Sequence, residues 1–487
     1  MKKAIFCLLI VFTGSYSAFT SAVPGSEPVP EIQGAEAYKA VDDNADLEFI
    51  RKQQKRPQRQ ITVDVPQEHQ GIQITEADLL MQPQLLHQLM MALVQRQNVT
   101  ALRLLLPIYK KSANYDHELA EYVEARIAQD DGNMKFAIKT YRTLLTRDPS
   151  LFLVRFNLAS ALYLDKQYAQ VRSELAEIRK EQQLPQDFLA FAHELELATE
   201  QQNTWSWDFN LGYVQDKNVN NAPDQQEIKT TNGTWTLPKP ESAHGISYFA
   251  TVNKDWFLLN NWGWRAQGYG FGKYYWDNKK YNDMQYRFST GPVWQSVDTE
   301  LTFMPFYGMR YYGERAYAET IGLRSVLNYH VNGKWRISTA LEGGKRTHPK
   351  REYLNGRYAL GSFSLGYAIS PHQYLHLSVD TGYRGAQDPS DAYHHRGVRM
   401  GYTLLLPKNI VVKTDVSYSL RQYLGHNLFN VVQRNKVFGA SFSLWKTDWQ
   451  WKGFMPKFNI DYERTCSNYV IATYHKTNIY LDISKSF

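Results

Sequence analysis

The stretch Ile410-Val-Val-Lys-Thr-Asp-Val-Ser-Tyr-Ser-Leu-Arg-Gln-Tyr423 decides the fold, because its side chains alternate in character along the chain. Successive side chains of a β-strand point to opposite faces, so the alternation predicts a strand with one apolar and one polar face. The first face carries Ile410, Val412, Thr414, Val416, Tyr418 and Leu420, and the second carries Val411, Lys413, Asp415, Ser417, Ser419 and Arg421.

The same alternation continues from Trp205 to Phe487, and hairpin residues divide this region into fourteen strands, the thirteenth over residues 449–464. Strands of roughly ten residues that follow one another over so long a region are typical of a transmembrane antiparallel β-barrel. Aromatic residues form 14% of the chain, with 33 Tyr and 12 Trp, and interfacial girdles of a barrel account for the excess. We therefore expect a fourteen-stranded barrel over residues 203–487, with lipid outside and water inside.

The N-terminus has the features of an export signal. Met1-Lys-Lys is a positive segment, Ala4 to Thr13 is apolar, and Thr20-Ser-Ala22 provides a small-residue cleavage site. Residues 1–22 are therefore predicted to be a signal peptide. Residues 23–82 are rich in Pro, Gln and charge, which favours a flexible periplasmic segment, with entry into the barrel or contact with acidic headgroups as the alternative.

Residues 83–202 change to a helical period, with apolar positions three and four apart. A 34-residue self-similarity relates one set of positions to another, which is typical of tetratricopeptide (TPR) repeats; a helical bundle with accidental spacing is the alternative. The fold class is therefore an α+β multidomain protein with a TPR-like domain before the barrel. The related sets are Ala125, Ala137, Tyr141 and Leu144, and Ala159, Val171, Leu175 and Ile178.

Aromatic residues one repeat apart suggest a binding surface on this helical domain. Tyr122 and Phe156 are equivalent in the 34-residue register, and Arg126 lies one turn after Tyr122. We predict that these three side chains contact a client or chaperone across a concave face. The alternative is that the two rings fill the core between helices.

The sequence contains no pattern that predicts catalysis. Gly268-Tyr-Gly-Phe-Gly272 resembles a phosphate loop, but it lies inside a predicted strand and opens no helix. His394 and His395 have no further ligand at metal spacing nearby. We therefore expect no enzyme activity, no cofactor and no metal. The net charge of +7 is modest for 487 residues and predicts no nucleic-acid partner.

The order of signal peptide, small repeat domain and fourteen-stranded barrel resembles the Slam family, the surface lipoprotein assembly modulators of type XI secretion. The resemblance is strongest where Trp205-Ser-Trp-Asp-Phe-Asn-Leu-Gly-Tyr213 leads into Asp216-Lys-Asn-Val-Asn-Asn-Ala-Pro223, which is similar to the first strand and Asn-rich turn of that family. The resemblance implies an outer-membrane translocon that moves a surface lipoprotein, or a secreted haem- or metal-scavenging protein, from periplasm to surface. It also implies a periplasmic holdase chaperone and the barrel assembly machinery as partners, within outer-membrane lipid.

Two other functions combine a barrel with some of these features. A polysaccharide exporter also joins helical repeats to a barrel, but its array is usually much longer, and a passive porin leaves the repeats unexplained. On the translocon interpretation, the junction turn is either a stable turn or a gate, the polar strand face lines the route, and Phe487 is the assembly signal. The candidate residues are Asp216, Asn218, Asn220 and Asn221 for the turn, and Lys413, Asp415, Arg421, Asn459 and Asp461 for the lumen.

Overall fold

A computed structural model of the chain describes residues 75–180, 186–230 and 233–486. It shows a helical array followed by a closed antiparallel β-barrel, which is the predicted fold class. The predicted signal peptide, most of the predicted flexible segment and Phe487 lie outside the described residues. The last residues of that segment are helical, because Thr75 and Asp78 form a capping box that starts a short helix at Glu76.

The described part of the helical array contains eight helices, six of which form three successive pairs followed by a closing helix. None of these described helices is both long and apolar enough to cross a membrane. The helices are α1 (Glu76–Met81), α2 (Pro83–Gln95), α3 (Val99–Tyr109), α4 (His117–Asp130), α5 (Met134–Arg147), α6 (Phe152–Leu164), α7 (Tyr168–Ile178) and α8 (Gln186–Gln201).

The 34-residue repeat is confirmed in α4 to α7. Gly132 adopts a positive φ of 84° in the α4–α5 turn, and Asn133 caps α5 by accepting a hydrogen bond from the Phe136 backbone. The first helices of the last two pairs, α4 and α6, contact each other, and α8 closes the array against α6 and α7. Every position that the repeat relates is buried: Ala125, Ala137, Tyr141, Leu144, Ala159, Val171, Leu175 and Ile178.

The sequence suggested that Tyr122 and Phe156 line an open groove. In the structure both rings are buried instead. Tyr122 is 7% exposed and Phe156 is 3% exposed, and both rings belong to the apolar core of the array. Asn157 Nδ2 donates a hydrogen bond to Tyr122 Oη at 2.7 Å, and burial raises the pKa of Tyr122 to about 12. Aromatic rings at helical spacing here fill the space between packed helices. Arg126 is half-buried beside Tyr122.

Truncating either ring is therefore expected to destabilise the array. Large-to-small changes in a core cost about 3–5 kcal/mol for an aromatic residue, so Tyr122→Ala or Phe156→Ala should make the helical region of the full-length protein open more readily in hydrogen exchange. Tyr122→Phe is the matched control, because it loses only the Asn157 hydrogen bond, worth about 1 kcal/mol. Unchanged exchange in Tyr122→Ala would show that the ring is not core.

The rest of the described chain forms sixteen strands, fourteen of which close the barrel by pairing with their sequence neighbours and by pairing of β1 with β16. β2 and β3 form a separate hairpin. The strands are β1 (Ser206–Asp216), β2 (Glu227–Thr230), β3 (Gly233–Thr236), β4 (Ala243–Phe257), β5 (Trp262–Tyr275), β6 (Asp283–Gln295), β7 (Thr299–Tyr312), β8 (Arg315–His330), β9 (Trp335–Thr347), β10 (Gly356–Ser370), β11 (Gln373–Arg384), β12 (Tyr393–Leu406), β13 (Ile410–His426), β14 (Val432–Lys446), β15 (Met455–Ser467) and β16 (Tyr474–Ser486).

The fourteen-strand prediction is confirmed, with two local differences. The β2–β3 hairpin lies in the connection between the first two barrel strands, where no strand was predicted. β15 begins at Met455 rather than at residue 449, because Lys452 and Gly453 adopt positive φ angles of 51° and 83° in a turn closed by a Trp451–Phe454 bridge. A strand cannot continue through two such residues.

The strand faces follow the period of two. On β13, Val416 is 46% exposed on the outer face, whereas Lys413 is 5% exposed on the inner face. Four tryptophans on the outer face lie near the ends of β1, β4 and β5: Trp207, Trp256, Trp262 and Trp264. This arrangement is the lipid-facing surface and interfacial aromatic girdle of a membrane barrel.

We call the rim where β1 begins the helix-side rim, because the helical array precedes it, and the opposite rim the far rim. The alternating strand directions place the short 331–334 and 371–372 connections at the helix-side rim. The longer 385–392 connection lies at the far rim. Both ends of the barrel sequence are at the helix-side rim, as an even strand number requires.

Candidate functional site

The turn between α6 and α7 joins the helical array to the barrel. Asp165 in this turn is 3% exposed. Its carboxylate accepts hydrogen bonds from Asn261 Nδ2 at 3.1 Å and from the Val297 backbone at 3.2 Å. These residues belong to the β4–β5 and β6–β7 turns of the helix-side rim. A buried carboxylate requires such donors, so this contact holds the array against the rim.

Further contacts surround Asp165. The Tyr168 ring packs edge-on against Phe257, with centroids 4.5 Å apart. Lys254 Nζ donates a hydrogen bond to the Asn203 carbonyl, just before β1. The array is therefore attached over the β1 and β4–β7 side of the barrel mouth.

The inner faces of β13 and β15 carry all five residues predicted for the lumen. Lys413 and Asp415 are buried, with Nζ and Oδ2 3.9 Å apart. Asp415 Oδ1 also lies 3.2 Å from Nε2 of His376. The structure joins the others to neighbouring strands: Asn459 Nδ2 donates to Asp482 Oδ2 (2.9 Å), Tyr480 Oη donates to Asp461 Oδ2 (2.7 Å), and the Arg421 guanidinium lies 5.2 Å from the Tyr393 ring.

Ion pairs also join inward-facing side chains along the wall formed by β4 to β9. Arg265 on β5 pairs with Asp255 at 2.7 Å and with Glu300 at 3.2 Å. Arg287 on β6 pairs with Glu342 on β9 at 2.8 Å, three strands away. Because these side chains project inward and pair with one another, an ordered polar network lines this part of the lumen wall.

The pairing of β1 with β16 is incomplete. β1 pairs with β4 along its whole length, from Ser206↔Asn253 to Asp216↔Ala243. Its ladder with β16 runs only from Asp208↔Ser486 to Tyr213↔Leu481. Toward the far rim β16 continues to Tyr474 with ladder partners on β15 alone. We call this β1–β16 contact the seam.

Residues 217–224, which we call the seam clasp, cover the unpaired half of the seam. The Asp224 backbone donates to the Thr473 carbonyl at 2.9 Å, and His475 Nδ1 lies 2.7 Å from Asp224 Oδ1. Lys476 Nζ donates to Asn221 Oδ1 at 3.3 Å. Side chains and single backbone bonds here replace the regular ladder found elsewhere in the barrel.

The Asn-rich turn therefore lies at the far rim and not at the junction with the helices, where the sequence had placed it. Asp216 Oδ1 accepts from the Asn218 backbone, and Asn218 exchanges hydrogen bonds with Ala222 at 2.7 and 3.0 Å. Asn220 bonds the backbone of Lys239 and Glu241, and Asn221 adopts a positive φ of 48°. The amides build a specific turn, as expected for Asn, one full strand away from the array.

The chain matches the family described as "Surface lipoprotein assembly modifier" over residues 205–487, and the N-terminal TPR repeats of that family over residues 72–175. The chain belongs to the surface lipoprotein assembly modifier family. The assembly modifier 1 of Haemophilus influenzae is 31% identical, over 85% of this chain and 87% of the relative. The "Hemophilin secretion modulator" of Acinetobacter baumannii is 22% identical, over 64% of this chain and 67% of the relative.

A solved "Bacterial polysaccharide outer membrane secretin" is 13% identical and covers 59% of this chain and 98% of its own, with a TM-score of 0.33. At that score it carries no argument about function. Membership of the assembly modifier family, together with the closed fourteen-stranded barrel, places the protein in the Gram-negative outer membrane. The helix-side rim and the TPR array face the periplasm, and the far rim faces the cell exterior.

Sequence reasoning missed two features of this assembly modifier. In the sequence, Asp165 is an ordinary residue of a helix–helix turn. Its burial against the barrel shows that it joins the array to the rim. An aromatic patch on α6 and α8 was also missed: Phe152 is 40% exposed and Phe191 is 43% exposed, and half-buried Phe188 packs 5.6 Å from Phe152. Phe156 forms the buried floor of this patch, 5.0 Å from Phe188.

Proposed function

We propose that this protein is an outer-membrane translocon that delivers a client protein from the periplasm to the cell surface or medium. The observation that carries the proposal is the attachment of a TPR array, through Asp165, to the periplasmic mouth of a polar-lined barrel. The names of the relatives specify surface lipoproteins and hemophilin as the proteins that those relatives handle. A client of this chain is therefore a surface lipoprotein or a secreted haem- or metal-binding protein.

Client capture is assigned to the aromatic patch of Phe152, Phe188 and Phe191 instead of to Tyr122 and Phe156. A cluster of exposed apolar side chains on a soluble domain marks an interaction site. An unfolded client, or the holdase chaperone that carries it, presents apolar segments that fit such a patch. Arg126, half-buried beside Tyr122, remains a proposed charged contact of the array.

Passage through the lumen requires the wall to widen, because inward side chains such as Lys413, Asp415 and Asn459 are buried against one another. A closed barrel widens most readily where the fewest ladder hydrogen bonds must break. The β1–β16 seam is that place. The seam clasp, with Asn218, Asn220 and Asn221, is the gate that covers it, and Asp216 just before the clasp holds its first turn. No catalytic step is needed, and folding of the client outside supplies the driving force.

The remaining assignments complete this proposal. Residues 1–22 are a signal peptide, 23–82 lead to the array, 83–202 form the repeat domain and 203–487 form the barrel. Phe487 is the signal read by the barrel assembly machinery during insertion into outer-membrane lipid. The polysaccharide exporter and porin alternatives receive no specific support from the site.

Co-expression in a Gram-negative host tests this function. A candidate surface lipoprotein should become sensitive to external protease on intact cells only when this chain is present. Phe152→Ser with Phe191→Ser should reduce that sensitivity while the barrel remains heat-modifiable, because both side chains are surface-exposed. Equal client exposure with and without the chain would reject the translocon assignment.

A further inference from the structure

A group of arginines lies on the lumen wall near the far rim, away from the seam. Arg346 and Arg384 stand at the ends of β9 and β11, on the inner face. They border a cavity in the barrel wall. Its other polar lining includes Arg310, Thr320, Tyr358, Tyr393 and Glu342, whose carboxylate is paired with Arg287.

Four luminal arginines, Arg265, Arg287, Arg310 and Arg324, have a carboxylate partner. Arg310 Nε lies 2.9 Å from Asp283 Oδ1, and Arg287 pairs with Glu342. Arg346 and Arg384 differ. Within the described ranges 75–180, 186–230 and 233–486, neither forms an ion pair. Arg346 Nε donates to Thr320 Oγ1 at 3.4 Å and its guanidinium lies 5.6 Å from the Tyr358 ring, and the Arg384 guanidinium lies 6.0 Å from the Tyr393 ring.

Polar atoms beside these arginines are buried and unsatisfied. Arg384 is 8% exposed, and its Nη1 is buried with no hydrogen-bond partner among the described residues. The same holds for Tyr317 Oη and for Nε2 of His348, whose rings meet edge-to-face at 5.3 Å. Buried donors without partners are rare and require an explanation such as an absent ion.

The charge of this group comes from the guanidiniums. Burial, followed by the positive charges of Arg384 and Arg346, lowers the pKa of His348 to about 4, so this imidazole is neutral at neutral pH. Asp391, in the loop after β11, is the carboxylate within electrostatic range of Arg384. Burial and then the charge of Asp388 raise the pKa of Asp391.

We propose that Arg346 and Arg384 bind an oxyanion inside the lumen, either a carboxylate of the passing client or free phosphate. A guanidinium offers a planar pair of donors that matches the two oxygens of such an anion. The phenol and imidazole rings around the pair hold the guanidiniums in place and exclude water. The client source rests on the proposed translocon function, whereas the binding site itself does not.

Binding to the purified full-length protein tests the site without any transport. Inorganic phosphate, and an acidic peptide of Asp and Glu against its Asn and Gln counterpart, are titrated calorimetrically at matched sodium chloride. Arg346→Gln with Arg384→Gln should weaken binding by about tenfold or more, because each lost charged hydrogen bond contributes measurably. Arg396→Gln is the matched control, since Arg396 is exposed on the outer face of β12.

The outcomes separate the two sources. Arginine-dependent binding of the acidic peptide assigns the site to the client, and arginine-dependent binding of phosphate alone assigns it to a free anion. Arg346→Lys with Arg384→Lys keeps the charge, so it should bind more weakly than wild type and more tightly than the Gln pair. Absence of binding by either probe, or equal binding by wild type and the heat-modifiable Gln pair, overturns the proposal.

Discussion

A disulfide across the seam should abolish client delivery. Leu211 and Ile483 are opposite each other in the β1–β16 ladder and both point outward. Opposed residues of antiparallel strands have Cβ atoms about 4.5–5.5 Å apart, close to the reach of a disulfide. In a Cys466→Ser background, oxidised Leu211→Cys with Ile483→Cys should leave surface exposure of the client near the level without the translocon. Reduction should restore it.

The control places the same bond where no opening is expected. Val416 and Ala440 are opposed on β13 and β14 and also face outward. Their cysteine pair should oxidise without reducing delivery. Full delivery through a seam shown by electrophoresis to be cross-linked would contradict the seam as the place of widening.

Loss of the Asp165 carboxylate should detach the array from the barrel and nearly stop delivery. Asp165→Ala leaves the Val297 backbone and the Gln167 amide without their acceptor, and it removes one of the three acceptors of Asn261 Nδ2. Each buried orphaned donor costs about 1–3 kcal/mol. Hydrogen exchange at the α6–α7 and β4–β5 turns should rise, and external protease should no longer reach the client on intact cells.

The repeat provides a matched control for this change. Asp131 is the equivalent turn residue one repeat earlier, and it bonds exposed Arg103 at 2.8 and 2.9 Å instead of the barrel. Asp131→Ala should leave the rim turns and delivery unchanged. Similar loss of delivery in both variants would indicate a general effect on the repeats and not a junction.

Features with a local physical cause were predictable from the sequence. The fourteen strands follow from side-chain alternation, which each strand carries by itself. The repeat core follows from helical spacing, so Ala125 and Ala159 are fully buried as predicted. The predicted start of β15 was wrong because Lys452 adopts a positive φ. A lysine gives no sign of this conformation in the sequence, whereas a glycine would have.

Features that depend on distant parts of the chain were not predictable. The helical spacing of Tyr122 fits a position on a groove as well as one in the core. Its burial against the next helix pair, where Asn157 donates to its hydroxyl, shows that it is a core residue. The sequence of the Asn-rich turn fits either rim of the barrel. The direction of β1 in the structure places it at the far rim. The carboxylate of Asp165 becomes a junction only because two barrel turns donate to it.

Adjacent positions on one strand test most directly whether the client passes through the lumen. Ser417 is exposed on the inner face of β13, and Val416 is exposed on the lipid face. A photo-activated cross-linking residue is placed at one or the other, and a client fused to a tightly folding domain is stalled during export. Translocation through the barrel predicts client cross-links from position 417 and not from 416. Absence of client cross-links at 417, or equal yields at both positions, would contradict the account.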